Sequence, residues 1–118
     1  MQGIDTIIVR VSDIEKSGEW YSQKLGLKEI YQDEKLKLIV YDTFGPTSIT
    51  IWETSDEIRI NPKVAAYPIF KTKNIGLTHS ILKSRDVNVG ELTTDHVVTY
   101  FTFYDPDNNV LEACQVHN

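Results

Sequence analysis

The sequence contains almost no cysteine, no long apolar run and no excess of basic residues, and each absence excludes a class of protein. Its single cysteine, Cys114, can form neither an internal disulfide nor a cysteine-based zinc cluster, which favours a cytoplasmic location. The apolar stretches fall short of the roughly 18 residues that a membrane span needs, and no basic-then-apolar leader opens the chain. We therefore expect neither a membrane partner nor export.

The net charge and the length of the chain bear on its partners and on the number of its domains. The formal net charge of -5 repels a phosphate backbone, and no stretch gathers Lys and Arg with aromatic residues between them. Nucleic acid is therefore excluded as an expected partner. A chain of 118 residues with 41% hydrophobic residues is sufficient for a packed core, so one domain over residues 1–118 is predicted.

The first half of the chain predicts a strand, a helix and three further strands. Residues 4–11 are rich in β-branched types, which favour a strand. Ser12 and Glu15 match a capping box that would begin a helix, and Gly26 would end it. The three further strands are predicted at residues 27–31, 36–43 and 48–54.

The second half predicts the same order of elements after a polar linker at residues 55–64. It comprises a strand at about 66–72, a helix opened by Asn74 and running to about Ser84, and strands near 87–92, 96–104 and 109–116. The predicted fold class is α+β, with two βαβββ modules, at about 1–54 and 65–118, forming a curled mixed sheet around a cavity. The helices would lie outside it.

Residues 101–112 predict strand, tight turn and strand, with a carboxylate near the end. Pro106 fixes φ for the second position of the turn, and Asn108 or Asn109 tolerates the left-handed conformation that closes it. Glu112 then lies on a strand among mostly apolar neighbours, where an unpaired carboxylate is costly. Two explanations stay open: an ion pair with Arg10, or a general base whose pKa is raised by burial.

The order of elements, together with residues 11–21 (VSDIEKSGEWY), 24–27 (KLGL) and 104–112 (YDPDNNVLE), resembles the glyoxalase, bleomycin-resistance and extradiol-dioxygenase superfamily, also called vicinal oxygen chelate proteins. The resemblance covers nearly the whole chain. It implies paired βαβββ modules that curl around a cavity often completed by dimerisation, so a homodimer is expected. Many members hold a divalent metal in this cavity, and others bind a ligand without one.

The resemblance also identifies the positions at which metal-binding members place their ligands. Three of them fall on Thr6, Thr50 and Tyr67, and only Glu112 is retained. One carboxylate with three hydroxyls is a poor set for a divalent transition metal. We therefore expect no metal or other cofactor; if a divalent metal binds, Glu112 is its expected ligand.

His96 is the remaining candidate for chemistry beside Glu112. His79 falls within the second predicted helix and His117 at the carboxyl terminus, whereas His96 begins a predicted strand and would face the cavity in the predicted register.

Three aromatic side chains on predicted strands, Trp52, Tyr67 and Tyr100, would supply stacking surfaces for an organic ligand if they share the concave face. Ordinary core packing is the alternative for each of them.

These observations favour a protein that binds a small organic ligand, without the usual metal centre, in order to sequester or sense it. The predicted ligand-binding residues are Thr6, Arg10, Thr50, Trp52, Tyr67 and Tyr100. The alternative is a lyase, isomerase or dioxygenase that uses Glu112 as base or metal ligand with His96 as its helper. A third reading is a partner-binding subunit of a larger complex.

Overall fold

The computed structural model describes residues 1–117, and the chain divides into two compact units. Unit 1 spans Met1–Arg59 and unit 2 begins at Ile60. Each unit contains one helix and one mixed β-sheet, of four strands in unit 1 and five in unit 2. The predicted α+β class, with two βαβββ modules, is confirmed.

In unit 1, the first strand pairs with the last. The elements are β1 (Thr6–Val11), α1 (Ile14–Gln23), β2 (Lys28–Asp33), β3 (Leu38–Asp42) and β4 (Ser48–Glu53). The sheet order is β1-β4-β3-β2, in which β1 and β4 are parallel and the other pairs are antiparallel. The chain must cross over the sheet to make the parallel pair, and α1 lies in that crossover.

Unit 2 repeats this arrangement with one strand broken in two. Its elements are β5 (Ile69–Lys71), α2 (Ile75–Ser84), β6 (Asn88–Val89), β7 (Thr93–Thr94), β8 (Val98–Tyr104) and β9 (Val110–Val116). β5 and β9 are parallel, β8 and β9 antiparallel, and both β6 and β7 pair with β8. The single strand predicted near 87–92 is found only as the short β6, and β7 begins one residue beyond the predicted range.

No helix within residues 1–117 has the length and apolar character needed to span a membrane.

Helix α1 begins one residue later than the capping box predicted. Asp13, in extended conformation, accepts hydrogen bonds through its Oδ1 from the backbone N–H groups of Glu15 and Lys16. The prediction that Ser12 is the cap was wrong, because the N–H of Ile14 donates to Glu53 and the N–H of Glu15 donates to Asp13. In α2 the predicted cap is found, since Asn74 accepts from the N–H of Leu77.

The last strand of each unit also satisfies a donor at the start of its helix. Glu53 Oε2 accepts from the N–H of Ile14 at 3.0 Å, and Gln115 Oε1 accepts from the N–H of Ile75 at 2.9 Å. These bonds hold the N-terminus of each helix against one face of its sheet. Side chains that alternate with Glu53 and Gln115 therefore lie on the opposite, helix-free face.

Small residues allow α1 to pack closely on its sheet. A Cβ atom at Gly18 would lie 2.9 Å from Cδ1 of Ile39, and the Gly18 carbonyl accepts a hydrogen bond from the hydroxyl of fully buried Tyr41 at 2.8 Å. A larger residue at position 18 would require Ile39 to move, so glycine is needed for this close packing.

The turn between β8 and β9 is organised by a buried carboxylate. Asp105 Oδ1 accepts from the N–H groups of Asp107 and Asn109, and its Oδ2 accepts from the Asn109 side chain. Asn108 is the residue that takes the left-handed conformation, with φ of 62°. The turn thereby joins β8 and β9 in the register that places Thr102 opposite Glu112.

The cap of α1 provides a test of this local structure. We expect Asp13→Ala to lower the free energy of unfolding by about 1 kcal/mol, because two helical N–H groups lose their acceptor. Urea unfolding followed by circular dichroism measures the change. Asp13→Asn retains an acceptor oxygen and serves as the control, with a smaller expected loss. Equal losses in the two variants would contradict the assignment of the cap.

Candidate functional site

The helix-free face of the unit 2 sheet carries the retained carboxylate. In β9, Leu111 and Ala113 alternate with Glu112, so they share the helix side with Gln115 while Glu112 and Cys114 point the other way. Glu112 is only 8% exposed. A carboxylate this buried needs a hydrogen-bond donor or a compensating charge.

Tyr67 is the hydrogen-bond partner that the structure gives to this carboxylate. The Tyr67 hydroxyl donates to Oε1 of Glu112 over 3.5 Å, a long and therefore weak hydrogen bond. Tyr67 lies two residues ahead of Ile69, the β5 residue that pairs with Glu112. Because alternate residues of an extended chain share a face, this spacing brings Tyr67 to the same side of the sheet as Glu112.

Two further tyrosines lie beside the carboxylate on the neighbouring strand. In β8, Thr102 is directly opposite Glu112, and Tyr100 and Tyr104 flank it diagonally on the same face. Diagonal neighbours in an antiparallel pair are about 7–8 Å apart, within reach of aromatic side chains. All three tyrosines of this face are half-buried, so their rings are partly accessible.

The electrostatics agree with this grouping. Burial raises the pKa of Glu112, and the hydrogen bond from Tyr67 opposes that shift. The charge of Glu112 is the main cause that raises the pKa of Tyr67, and burial, Tyr100 and Tyr104 act in the same direction. Tyr67 is therefore a neutral hydrogen-bond donor at neutral pH. We name Tyr67, Tyr100, Tyr104 and Glu112 the tyrosine–carboxylate cluster.

Cys114 lies next to Glu112 on this face and is a protonated thiol. Burial raises its pKa, the charge of Glu112 raises it further, and Lys71 has the opposite effect. A thiol with a raised pKa is a poor nucleophile, so the structure gives Cys114 no activated chemistry.

A cavity of about 240 Å³ adjoins the cluster at Tyr104. It is lined by Ile60, Pro62, Asn88, Tyr104 and Asn108. Asn88 pairs with Tyr104, which places both on the helix-free side of the unit 2 sheet. The sequence analysis missed Tyr104, Asn88 and Asn108 as candidates. Tyr104 alternates with Tyr100 and could have been found from that spacing, whereas Asn108 was taken only as a turn residue.

The equivalent face of unit 1 carries two threonines in place of the tyrosine and the carboxylate. Thr6 and Thr50 share a hydrogen bond of 2.7 Å between their hydroxyl oxygens, and the Thr6 hydroxyl also lies 3.2 Å from the Ser48 carbonyl. Thr50 is 6% exposed and its partner Thr6 is half-buried. These hydroxyls satisfy each other.

Arg10 and Trp52 form a stacked pair on the same face of unit 1. The guanidinium carbon of Arg10 lies 5.1 Å from the ring centroid of Trp52, within cation–π range. Arg10 also donates from Nε to the Trp52 carbonyl and from one terminal nitrogen to the Glu53 carbonyl. Trp52 in turn donates to the Leu36 carbonyl. The ion pair of Arg10 with Glu112 stays a prediction.

The four positions identified from the resemblance thus form two equivalent pairs, Thr6 with Thr50 and Tyr67 with Glu112. Thr6 lies two residues before Ile8, which pairs with Thr50 in the β1–β4 ladder. In the same way, Tyr67 lies two residues before Ile69, which pairs with Glu112 in the β5–β9 ladder. The same register therefore produces a neutral pair in unit 1 and a charged pair in unit 2.

The structure does not bring His96 to Glu112. β8 begins at Val98, so His96 lies in the preceding turn and is exposed, rather than at the start of a strand as predicted. Val98 is four residues along β8 from Thr102, which is about 13 Å at the usual rise of a strand. The turn is closed by Asp95, whose carboxylate accepts from the N–H groups of Val97 and Val98.

These donors do not fit a divalent transition metal. At the positions that correspond to metal ligands, the chain offers hydroxyls that are already hydrogen-bonded and one carboxylate, whereas such metals favour imidazole, thiolate and several carboxylates. Residues 1–117 contain no group of three or more His, Cys, Asp or Glu side chains placed to hold an ion.

Both units contain a mixed sheet whose first and last strands are parallel, which defines a protein built from two βαβββ modules. Comparison with known proteins identifies the family. The family model of the Glyoxalase/Bleomycin resistance protein/Dioxygenase superfamily matches residues 3–113. The chain belongs to this superfamily, as the resemblance indicated. No curated protein sequence is significantly similar to it.

Solved structures share the fold at low sequence identity. An integron cassette protein from the Halifax Harbour sewage outfall metagenome is 19% identical, with a TM-score of 0.84, over 98% of this chain and 99% of that one. An antibiotic binding protein from Streptomyces sp. CB03234 is 18% identical, with a TM-score of 0.80, over 99% and 98%. The genomically encoded fosfomycin resistance protein of Listeria monocytogenes is 18% identical, with a TM-score of 0.80, over 98% and 93%.

The raised pKa of Glu112 predicts how stability changes with pH. Because the folded-state pKa lies above the unfolded value, the protonated form is favoured in the fold, and this contribution is lost as pH rises through the folded pKa. We expect Glu112→Gln to be more stable than the wild type at pH 7, with a difference that disappears below the ordinary glutamate pKa. Thermal unfolding across pH 3–8 measures this.

Glu53→Gln is the matched control, with the opposite sign. The hydrogen bond from the Ile14 N–H, followed by that from Lys37, lowers the pKa of Glu53. Its charge therefore stabilises the fold above the unfolded pKa, and the variant should be less stable at pH 7. If both variants shift in the same direction, the assigned environment of Glu112 is wrong.

Proposed function

We propose that this protein binds a small organic ligand without a metal ion, in order to sequester or sense it. The observation that carries the proposal is the tyrosine–carboxylate cluster beside the 240 Å³ cavity of unit 2. Aromatic rings provide apolar stacking surface, and a single carboxylate and phenol orient a ligand, which is the usual composition of a small-molecule site.

The hydroxyl pair of unit 1 supports the metal-free part of the proposal. One hydrogen bond joins the neutral hydroxyls of Thr6 and Thr50, so these two positions offer neither a carboxylate nor an imidazole to a cation. Together with Arg10 and Trp52 they form a polar and aromatic surface, which we propose as a second contact region for ligand. The indole ring is held in place by its bond to the Leu36 carbonyl.

One structural relative provides a precedent for ligand binding, because it is described as an antibiotic binding protein. The other is described as a fosfomycin resistance protein. Both are under 25% identical to this chain, so they support the fold.

An enzyme is the second candidate, and the raised pKa of Glu112 is the observation that favours it. A buried carboxylate with a raised pKa is a better general base, and Tyr67 is a neutral donor 3.5 Å away. If the protein catalyses a lyase or isomerase reaction, we propose Glu112 as the base and Tyr67, rather than His96, as the residue that positions it.

Homodimer formation and a cytoplasmic location belong to the same proposal. Ile8 on β1 and Ile30 on β2 are 50% and 57% exposed, and both lie on edge strands of the unit 1 sheet. Exposed apolar side chains at sheet edges favour association. The single cysteine does not require an oxidising compartment.

A thermal-shift screen of small aromatic and heteroaromatic compounds tests ligand binding. A compound that binds only the folded state raises the melting temperature, and its affinity is then measured by calorimetry. We expect Tyr67→Phe to weaken binding roughly fivefold, because the ligand loses a hydrogen bond with the phenol hydroxyl, and one such bond contributes about 1 kcal/mol. Tyr31→Phe, at an exposed tyrosine of unit 1, is the control and should bind as the wild type does.

Two outcomes would contradict the proposed site. One is a screen in which no compound raises the melting temperature. The other is equal loss of affinity in Tyr67→Phe and Tyr31→Phe, since that would place the ligand away from the cluster.

Titration with Ni²⁺, Zn²⁺ and Mn²⁺ tests the metal-free part. For protein purified without chelator, we expect no stoichiometric tight binding, and Glu112→Gln should behave as the wild type because one carboxylate is a weak ligand. Calorimetry and elemental analysis provide the measurement. Tight one-to-one binding that is lost in Glu112→Gln would show that Glu112 is a metal ligand and would reject this part of the proposal.

A further inference from the structure

The buried carboxylate of the tyrosine–carboxylate cluster takes part in no ion pair within residues 1–117. The ion pairs of these residues are Lys37 with Glu53 and Arg59 with Glu57. Burial raises the pKa of Glu112, and the hydrogen bond from Tyr67 lowers it. A buried carboxylate in such a position is stabilised by an incoming positive charge.

Lys71, the basic residue of β5, does not pair with this carboxylate. Lys71 pairs with Cys114 in the β5–β9 ladder, is exposed, and acts on the Cys114 thiol. It forms no ion pair with Glu112 within residues 1–117. Neither Lys71 nor another ion pair within residues 1–117 supplies a positive charge to Glu112, so this position suits a positive charge that a ligand brings.

The aromatic rings around the carboxylate favour the same kind of ligand. Tyr100 and Tyr104 lie diagonally across β8 from Glu112, and Tyr67 approaches it from the β5 side. The face of each ring is electronegative, so three rings near one carboxylate attract a cation and repel an anion. A neutral ligand could stack and donate a hydrogen bond, but it would leave the carboxylate without a counterion.

We infer that the ligand of this face is an organic cation, with a protonated amine or quaternary ammonium group beside Glu112 and the tyrosine rings. This inference rests on the proposed small-molecule function and names its ligand class. The remainder of the molecule extends past Tyr104 into the adjoining cavity, whose 240 Å³ holds roughly eight water-sized groups at about 30 Å³ each. The exposed amides of Asn88 and Asn108 there hydrogen-bond its polar atoms.

The net charge of the chain also favours a cationic ligand. Its formal net charge of -5 raises the local concentration of cations at low ionic strength and disfavours anionic ligands.

The test compares three probes of one shape that differ in charge. These are choline, its uncharged carbon isostere 3,3-dimethylbutan-1-ol, and the anion 3,3-dimethylbutanoate. Binding is followed by calorimetry and by shifts of the tyrosine ring signals in NMR spectra. We expect choline to bind about tenfold more tightly than the neutral isostere, and the anion to bind most weakly.

Variants locate the source of the preference. Glu112→Gln should remove most of the choline advantage, whereas Glu57→Gln, at an exposed glutamate paired with Arg59, should keep it. Tyr100→Leu keeps the carboxylate and removes one ring, so it should reduce the advantage severalfold. If Glu112→Gln does not fold, the Tyr100→Leu variant still tests the inference. The wild type provides a further test, because added salt should weaken the binding of choline more than the binding of its isostere.

The outcomes separate this inference from the proposed function. Equal binding of choline and its isostere would reject the cation while leaving a small-molecule site in place, and tighter binding of the anion would also reject it. If no probe binds at the tyrosine signals, the inference fails, and the wider compound screen decides the proposed function separately.

Discussion

In both units, the parallel pairing of the first strand with the last is the constraint on which the candidate site depends. The β1–β4 ladder brings Thr6 to Thr50, and the β5–β9 ladder brings Tyr67 to Glu112, although the members of each pair are more than forty residues apart along the chain. The crossover helix covers one face of each sheet and is held there by a side chain of the last strand. The pairs consequently lie on the helix-free face of each sheet.

The two pairs show how one register can serve different chemistry. In unit 1 the paired hydroxyls satisfy each other and need nothing further. In unit 2 a carboxylate receives one long hydrogen bond from a phenol, and burial raises its pKa because water no longer stabilises the charge. Buried groups with perturbed pKa values are concentrated at functional sites, and this one lies near three tyrosines, of which Tyr104 lines a cavity. The candidate site proposed above is therefore placed in unit 2.

Local patterns were reliable where the physics is local. The turn between β8 and β9 was predicted from its proline and asparagines, and the structure shows that the Asp105 carboxylate and the left-handed Asn108 form it. The cap of α1 was misplaced by one residue because Ser12 and Asp13 are both good caps, and only the backbone geometry selects between them. His96 was assigned to a strand that begins two residues later, because strand ends depend on pairing with β9 and not on composition.

The sequence by itself determined the order of strands and helices, the family, the single retained carboxylate and the lack of imidazole at the positions that correspond to metal ligands, because each of these depends on residue type and near neighbours. Only the tertiary structure decided which residues meet: that Tyr67 is the partner of Glu112, that Tyr104 belongs with it, and that Arg10 stacks on Trp52. These contacts depend on ladder register across many intervening residues, and a shift of one residue would turn each side chain to the opposite face.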